Sequence, residues 1–273
     1  MGTALVTGAT SGIGLELVWQ LAAARHDLVL VARDHQRLAA LAEDLRQVAG
    51  VGAQVLPADL STAQGRQKVA QRLLRTGAAG ARSARGPRTA QEVARRPVDL
   101  LVNNAGFGLG QAFVGGDVDR ERRALEVMVG AVMELSHAAL PGMVERGHGA
   151  VLNIASLASL TAMGTYAAHK AWVRTFTEGL ATELKGTGVS ATVVCPGLTR
   201  TEFHERAHME DVWPSLVWTD SQEVARQALD AVRRGQVICT PTLRYQAAAA
   251  LLRLSPRWLV RRVAGHASSA THY

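Results

Sequence analysis

Residues 4–14 read Ala-Leu-Val-Thr-Gly-Ala-Thr-Ser-Gly-Ile-Gly. The apolar run at the start predicts a buried strand, and the apolar residues at positions 15, 17, 18 and 21 predict a helix directly after the glycines. Gly8, Gly12 and Gly14 permit a tight turn, while the N-terminus of the helix presents unpaired N–H groups. A strand, a glycine-rich turn and a helix in this order are typical of a site that binds a pyrophosphate. Since many glycine clusters are ordinary turns, this motif needs support from the rest of the chain.

Apolar runs alternate with helical patterns along the remaining sequence, which predicts parallel strands joined by helical crossovers. The seven predicted strands lie near residues 4–7, 28–32, 53–57, 100–103, 150–155, 190–195 and 236–240. The predicted fold class is α/β: a doubly wound, Rossmann-type parallel sheet of about seven strands, with helices on both faces of a single domain. With 273 residues and 48% hydrophobic composition, the chain can bury one substantial core. We assign residues 1–242 to this domain and residues 243–273 to a basic amphipathic C-terminal extension.

A tyrosine and a lysine, Tyr166 and Lys170, stand four residues apart in the run Tyr-Ala-Ala-His-Lys. On a helix this spacing brings both side chains to one face. A fixed cation favours the phenolate, so it lowers the pKa of a neighbouring phenol toward the range useful for proton transfer. By itself the pair is more often a half-buried aromatic residue beside a solvated charge.

Four motifs occur together in one order: Gly-x3-Gly-x-Gly at residues 8–14, Asn-Asn-Ala-Gly at 103–106, the Tyr166/Lys170 pair, and Pro-Gly at 196–197. This combination resembles the classical short-chain dehydrogenase/reductase family over roughly residues 3–240. The resemblance implies an oxidoreductase that transfers a hydride between a nicotinamide cofactor and a carbonyl or secondary alcohol. In that mechanism Tyr166 is the general acid/base, Lys170 lowers the phenol pKa and hydrogen-bonds the nicotinamide ribose, and Ser156 holds the carbonyl oxygen.

The resemblance also assigns cofactor binding to residues at the carboxyl ends of the strands. These are Gly8, Thr10, Ser11, Gly12, Ile13, Gly14, Arg33, Asp59, Leu60, Asn104, Ala105, Gly106, Tyr166, Lys170, Pro196, Gly197 and Thr199. Asp59 matches an adenine-contacting aspartate, and its alternative is a plain strand-end cap. Thr199 would bear the hydroxyl beside the carboxamide, with Thr201 as the alternative.

The cofactor preference is predicted from the end of the second strand, where Arg33 stands in place of an acidic residue. A carboxylate there would hydrogen-bond a free ribose 2′-hydroxyl, whereas a guanidinium can pair with a 2′-phosphate. The sequence therefore favours NADP(H) over NAD(H). Asp34 could serve NAD, but its position before a helical pattern makes a helix N-cap the better interpretation.

Two departures from the family pattern affect the catalytic residues. Ser156 precedes Tyr166 by ten residues, where thirteen is usual, and the residue thirteen back, Asn153, matches a structural asparagine within the strand. We therefore predict a shortened loop that keeps Ser156, with Ser159 as a weaker alternative. Met128 occupies a position where the family commonly has an asparagine that anchors a water behind the lysine, so the proton relay is rerouted or weakened. Met128 is equally compatible with simple helix packing.

The segment 202–218 follows the last motif and contains Trp213, Trp218 and several other apolar residues. Its composition favours an apolar substrate, and packing of the tryptophans in the core or at a subunit contact is the alternative. His204, Glu205 and His208 are closely spaced, but such spacing is more often a solvated helix face, so no metal site is predicted.

The formal net charge of +7 is concentrated in two segments. Residues 72–96 carry seven arginines and one acidic residue, and residues 244–273 carry five arginines and none. Because no nucleic-acid-binding motif accompanies them, we predict solvated arginine faces and no nucleic-acid partner. Residues 76–96 have little apolar content and are predicted to be an inserted basic loop of low complexity.

The C-terminal extension carries leucines and Val260 among its arginines. Such a segment can lie on an anionic membrane surface, or it can dock on its own domain or a partner subunit, and docking is favoured. The two cysteines, Cys195 and Cys239, are typical of a reduced cytoplasmic protein. The stretch 150–168 is interrupted by polar residues, so a membrane span is not predicted. The resemblance implies a homodimer or homotetramer.

Two functions from different classes remain open. The first is an NADP(H)-dependent reductase or dehydrogenase of small-molecule carbonyl or alcohol substrates with apolar character. The second is an NADP(H)-binding scaffold or regulatory protein with little turnover. The intact Ser156, Tyr166 and Lys170 favour the first, while Met128 and the short loop are compatible with the second.

Overall fold

The structure is a computed structural model that describes residues 2–75, 88–199 and 217–265. Its seven strands form one parallel sheet in the order β3-β2-β1-β4-β5-β6-β7. The strands are β1 Thr3–Thr7, β2 Asp27–Ala32, β3 Ala53–Pro57, β4 Leu100–Asn103, β5 Gly149–Ile154, β6 Val189–Val194 and β7 Ile238–Cys239. The predicted fold class is confirmed, and all seven predicted strands are present.

Helices cover both faces of the sheet. They are α1 Gly12–Ala23, α2 His35–Asp44, α3 Ala63–Leu73, α4 Ala90–Arg95, α5 Val118–Leu125, α6 Ala131–Arg146, α7 Gly164–Glu183, α8 Ser221–Arg233, α9 Leu243–Leu254 and α10 Arg257–Val263. A π-helical turn, Leu45–Ala49, extends α2, and a second, Glu126–Gly130, joins α5 to α6. A short 3₁₀ helix, Leu157–Leu160, follows β5.

The strands read as continuous apolar runs because both sheet faces are buried. In β1, Ala4 and Val6 point to a core shared with α1 and α8, whereas Leu5 points to a second core shared with α3 and α6. This alternation follows from the two-residue period of a strand. Two separate apolar layers therefore fix the sheet between its helices.

The strand order reverses at β1, which lies between β2 and β4. At such a switch point the loops after the two central strands leave in opposite directions and open a crevice at the carboxyl edge of the sheet. The glycine-rich turn after β1 and the Asn103–Gly106 segment after β4 both begin at this crevice.

One sequence prediction is wrong in part, because residues 90–95 of the predicted loop form helix α4. Thr89 and Glu92 make a capping box: the Thr89 N–H donates to Glu92 at 2.7 Å, and the Glu92 N–H donates to the Thr89 hydroxyl at 3.3 Å. Val93 is buried and attaches the helix to the domain. Residues 76–87 lie outside the described part of the chain.

One continuous helix, Val118–Arg146, is long and apolar enough to cross a membrane by length and composition alone. Half of its most apolar 18-residue stretch is buried inside the fold, as in the core helix of a globular domain.

Candidate active site

The glycine-rich turn is folded tightly between β1 and α1. Gly8 and Gly12 have positive φ angles of 66° and 53°, which favour glycine. A Cβ atom on Gly14 would lie 2.2 Å from the Gly8 carbonyl oxygen, so a side chain at this position would clash. Ser11 is the N-cap residue of α1, but its side chain makes no capping hydrogen bond. The N–H groups of the first helical turn are thus left for a ligand.

Asn104 connects this turn to the end of β4 through hydrogen bonds. Its amide nitrogen donates to the carbonyl oxygens of Thr7 and Gly8 at 3.0 and 3.2 Å. The Thr7 hydroxyl accepts from the N–H groups of Asn104 and Ala105 at 3.0 and 3.1 Å. The Asn-Asn-Ala-Gly motif therefore holds the two loops of the crevice in a fixed relation.

A buried polar network lies directly beneath the site. The Asn103 amide donates to Asn153 at 2.9 Å and to Ser136 at 3.3 Å, and the Asn153 amide donates to Thr177 at 2.8 Å. Asn103 and Asn153 stand opposite each other in the β4–β5 register. Asn153 has the structural role that its position predicts, so it is not a substitute for Ser156.

Ser156, Tyr166 and Lys170 come together at the carboxyl end of β5. Ser156 hydrogen-bonds Tyr166, and the Lys170 ammonium lies 5.9 Å from the centre of the tyrosine ring. Lys170 is buried and donates to the Ile154 carbonyl oxygen at 2.8 Å. The 3₁₀ helix that follows Ser156 accommodates the short connection to α7. Ser159 is buried, and Ser156 is the serine that hydrogen-bonds Tyr166.

The pKa values differ from the expectation that Lys170 lowers the phenol pKa. Burial raises the pKa of Tyr166 to about 12, and the hydrogen bond with Ser156 opposes this shift. Burial also lowers the pKa of Lys170 to about 8, with an opposing contribution from Cys195. Desolvation disfavours both charged forms, so the phenol is held in its protonated state at neutral pH.

Met128 lies behind this cluster, in the π-helical turn between α5 and α6. It is fully buried and packs with Leu109, Ala124 and Tyr166. A Cβ atom on Gly106 would lie 3.5 Å from both Met128 and the Lys170 nitrogen. Of the two interpretations of Met128, simple helix packing describes these contacts.

The residues near the end of β2 are exposed at the crevice. Arg33 is exposed directly after the strand, and Asp34 accepts hydrogen bonds from the N–H groups of Gln36 and Arg37 at 2.9 and 3.1 Å. Asp34 is therefore the N-cap of α2, as predicted. Arg37 donates to the Thr10 carbonyl oxygen at 3.2 Å, which brings a second cation to the glycine-rich turn. Arg37 is not among the predicted site residues, although it follows Arg33 by four positions.

Asp59 is exposed after β3 and caps its own turn. Its carboxylate accepts from the N–H and hydroxyl groups of Ser61 at 3.0 and 2.8 Å. The strand-end cap, one of the two alternatives for Asp59, is therefore present. Leu60 next to it is buried in the core.

The Pro196–Gly197 loop is supported by Tyr245, a residue of the C-terminal extension that the sequence analysis did not single out. The Leu198 N–H donates to the Tyr245 hydroxyl at 3.1 Å, and this hydroxyl donates to the Val217 carbonyl oxygen. A Cβ atom on Gly197 would lie 2.1 Å from the tyrosine ring. The Thr199 hydroxyl is buried and donates to the Gly197 carbonyl oxygen at 3.1 Å.

Several predictions concern residues that are not described. Thr201, Trp213 and the His204, Glu205 and His208 group lie within residues 200–216, outside the described ranges. Within residues 2–75, 88–199 and 217–265, no group of three or more His, Cys, Asp or Glu side chains could hold a metal ion.

Comparisons with known proteins agree with this geometry. The family model for short chain dehydrogenase matches residues 2–78 and 84–211. Sulfoacetaldehyde reductase 2 of Chromohalobacter salexigens is 34% identical over 230 residues, which cover 82% of this chain and 79% of that relative. The NADP-dependent 3-hydroxy acid dehydrogenase YdfG of Salmonella typhi is 33% identical over 204 residues, 73% of each chain. A short-chain dehydrogenase from Sphingobium yanoikuyae, solved in complex with NADPH, is 33% identical with a TM-score of 0.78 and coverage of 93% and 94%.

Proposed function

The chain belongs to the short-chain dehydrogenase family of oxidoreductases, and we propose that it transfers a hydride between NADP(H) and a carbonyl or secondary alcohol substrate. The observation that carries this proposal is the cluster of Ser156, Tyr166 and Lys170 at the carboxyl end of β5. This cluster lies at the edge of the sheet where the cofactor crevice opens.

The residues around the crevice fit a nicotinamide dinucleotide. The uncapped N-terminus of α1 and the close approach of Gly14 to Gly8 suit a pyrophosphate, and Gly106 lies close to the Lys170 ammonium, which would hydrogen-bond a ribose. NADP(H), when bound, supplies or accepts the hydride. Asn104, Ala105, Gly106, Pro196, Gly197 and Thr199 would line its nicotinamide half, and Thr10, Ser11, Ile13, Asp59 and Leu60 its phosphates and adenosine.

Tyr166 is the proposed proton donor for carbonyl reduction. With a pKa raised to about 12, the phenol is protonated at neutral pH and can give its proton to the developing alkoxide. Ser156 already hydrogen-bonds Tyr166, so its hydroxyl is positioned to hold the same substrate oxygen. Lys170 would stabilise the phenolate that proton transfer leaves behind, and alcohol oxidation would reverse these steps.

Arg33 and Arg37 support the preference for NADP(H). Arg33 is exposed where the adenosine ribose would lie, and Arg37 reaches the backbone of Thr10 from α2. A guanidinium can bind a 2′-phosphate with two parallel hydrogen bonds. The solved relative in complex with NADPH and the relative named as NADP-dependent are consistent with this assignment.

The proposed substrate is a small molecule with apolar character. Phe107, Phe113 and Val114 are exposed on the loop that follows Gly106, and Leu109 of the same loop packs with Met128 and Tyr166. Exposed aromatic side chains at the mouth of a cleft favour an apolar ligand. The proposed location is the cytoplasm, which the free, buried Cys195 and Cys239 support. As in much of the family, the proposed assembly is a homodimer or homotetramer.

The test follows NADPH oxidation over a panel of aldehydes and ketones with the wild-type protein and Tyr166→Phe. We expect turnover by the wild type and a loss of about 10²- to 10⁴-fold in kcat in the variant, with NADPH binding retained. Val48→Thr, a change at an exposed position on the π turn after α2, is the matched control and should keep full activity. Tight NADPH binding without Tyr166-dependent turnover on any substrate would instead identify a cofactor-binding scaffold.

A further inference from the structure

Helix α9 carries an exposed apolar stripe. Leu243, Leu251 and Leu254 are 82%, 69% and 85% exposed, and Ala247 and Ala250 between them are exposed as well. At 100° per residue these five positions cover only about 100° of the helix circumference. They therefore form one continuous face, which points away from the protein.

The opposite face of α9 attaches the helix to the domain. Tyr245 contacts Gly197 and bonds Leu198, Ala249 is buried, and the helix packs against the 3₁₀ helix Leu157–Leu160. Docking on its own domain, one of the two docking roles favoured from the sequence, thus uses only one side of this helix. The leucine stripe is a second apolar face, which residues 2–75, 88–199 and 217–265 leave exposed.

Helix α10, separated from α9 only by Ser255 and Pro256, adds exposed apolar and basic groups. Trp258 and Val263 are 60% and 69% exposed, while Val260 is buried and holds the helix in place. Arg261 and Arg262 are exposed on the same short helix, and Arg253 is exposed near the end of α9. Residues 243–265 contain no aspartate or glutamate.

We propose that this outer face, formed by the α9 stripe with Trp258, Val263 and the exposed arginines, binds the surface of an anionic phospholipid bilayer. Apolar side chains flanked by arginines and a tryptophan are the composition of helices that lie in a membrane interface. Anionic headgroups complement the arginines, and the acyl boundary accepts the leucines. A segment without acidic residues has no charge that the negative leaflet would repel.

The proposed surface is connected to the active site through α9. Tyr245 supports the Pro196–Gly197 loop from one face of the helix, and Leu251 and Leu254 point outward from the other. A bound bilayer would therefore lie on the outer side of α9, the helix whose inner side contacts the Pro196–Gly197 loop after β6. This inference does not depend on the proposed reaction, because lipid binding is measurable without turnover.

The experiment is co-sedimentation of the full chain with vesicles of phosphatidylcholine alone and of phosphatidylcholine mixed with phosphatidylglycerol. We expect binding to the anionic vesicles at low salt, at least tenfold weaker binding to phosphatidylcholine alone, and release at high salt. Leu251→Gln/Leu254→Gln should weaken binding by about tenfold or more, since each leucine loses its apolar contact. Arg253→Gln/Arg261→Gln/Arg262→Gln should weaken it by about fivefold for each arginine removed.

The matched control is Val48→Gln/Leu74→Gln, which removes two exposed apolar side chains elsewhere and should bind like the wild type. Thermal melts would check that every variant remains folded. Absence of binding to anionic vesicles, or equal binding by the leucine variant, would overturn the proposal. A different outcome would overturn the proposal in favour of a subunit contact: the wild type does not bind vesicles, and the leucine variant loses an oligomeric state that the wild type has. The stripe would then be assigned to a contact with a second copy of this chain.

Discussion

Tyr166 and Lys170 illustrate a competition between burial and charge at the scale of single residues. Their four-residue spacing places both on one helix face, but the lysine nitrogen is also tied to the Ile154 carbonyl oxygen. Burial penalises the phenolate and the ammonium alike, so it raises one pKa and lowers the other. The protonated phenol is suited to donate a proton, while the charge of Lys170 becomes sensitive to pH.

The first prediction at this scale concerns the pH dependence of carbonyl reduction. Because the pKa of Lys170 is lowered to about 8, its ammonium is present below that pH and is lost above it. We expect kcat/KM to be nearly constant from about pH 6 to 7 and to fall by up to about tenfold per pH unit above about 8. The measurement is a pH profile with NADPH at fixed saturation of the enzyme.

Lys170→Arg separates this explanation from a titration elsewhere. Arginine stays charged across the measured range, so the variant should lose the decline near pH 8 even if its rate is lower. An unchanged decline in the variant would show that another group is responsible.

Met128 illustrates that a sequence motif does not predict the contacts of a residue that departs from it. The absence of the family's usual asparagine is visible in the sequence, but the contacts that replace it are not. Met128 packs against Tyr166, and Lys170 finds its hydrogen-bond acceptor at Ile154 instead. The thioether gives the tyrosine an apolar wall, which contributes to the desolvation that keeps the phenol protonated.

At the scale of elements, the strands were predictable because the inner ones are buried on both faces and read as apolar runs. Helix α4 was missed because its arginine-rich surroundings resemble a loop, although Thr89 and Glu92 carry the capping-box signal. The support of Gly197 by Tyr245 could not be predicted, since 48 residues separate them in the sequence and only the fold brings α9 under the loop. Local patterns specify elements, whereas contacts between distant elements depend on packing.

The prediction at this scale is that Tyr245 positions the Pro196–Gly197 loop for the cofactor. Tyr245→Phe keeps the ring against Gly197 but removes the hydroxyl that bridges Leu198 and Val217. We expect a stability loss of about 1 kcal/mol and a several-fold increase in the KM for NADPH, with kcat little changed. Steady-state kinetics and thermal melts measure the two effects separately.

Phe176→Leu offers a comparison, because it perturbs a partly buried aromatic residue that stacks on Trp172 within α7 and carries no hydroxyl that could bond the loop. It should lower stability without raising the KM for NADPH. An equal increase in KM in both variants would mean that the effect of Tyr245→Phe is general destabilisation.

At the scale of the whole molecule, the proposed cofactor site draws on the loops after each of the strands β1 to β6. These loops are distant in sequence and meet only when the parallel sheet is complete. A ligand that contacts all of them binds the folded state and not the unfolded chain, so it must stabilise the domain. At a concentration about 100-fold above its Kd, the gain is about 2.7 kcal/mol.

This linkage provides a test of cofactor preference that does not require a known substrate. For a chain of this size, each kcal/mol corresponds to a Tm increase of roughly 2–4 °C, so NADPH should raise the Tm by about 5–10 °C at that excess. NADH should give a smaller increase, because it lacks the 2′-phosphate that Arg33 would bind.

In Arg33→Ser the Tm response to NADPH should fall to that of NADH, while the NADH response stays unchanged. The matched control is Arg46→Ser. Arg46 lies in the π turn after α2 and pairs with Glu43, so this variant should respond like the wild type. Equal Tm shifts with both cofactors in the wild type would contradict the assignment of Arg33 as the 2′-phosphate ligand.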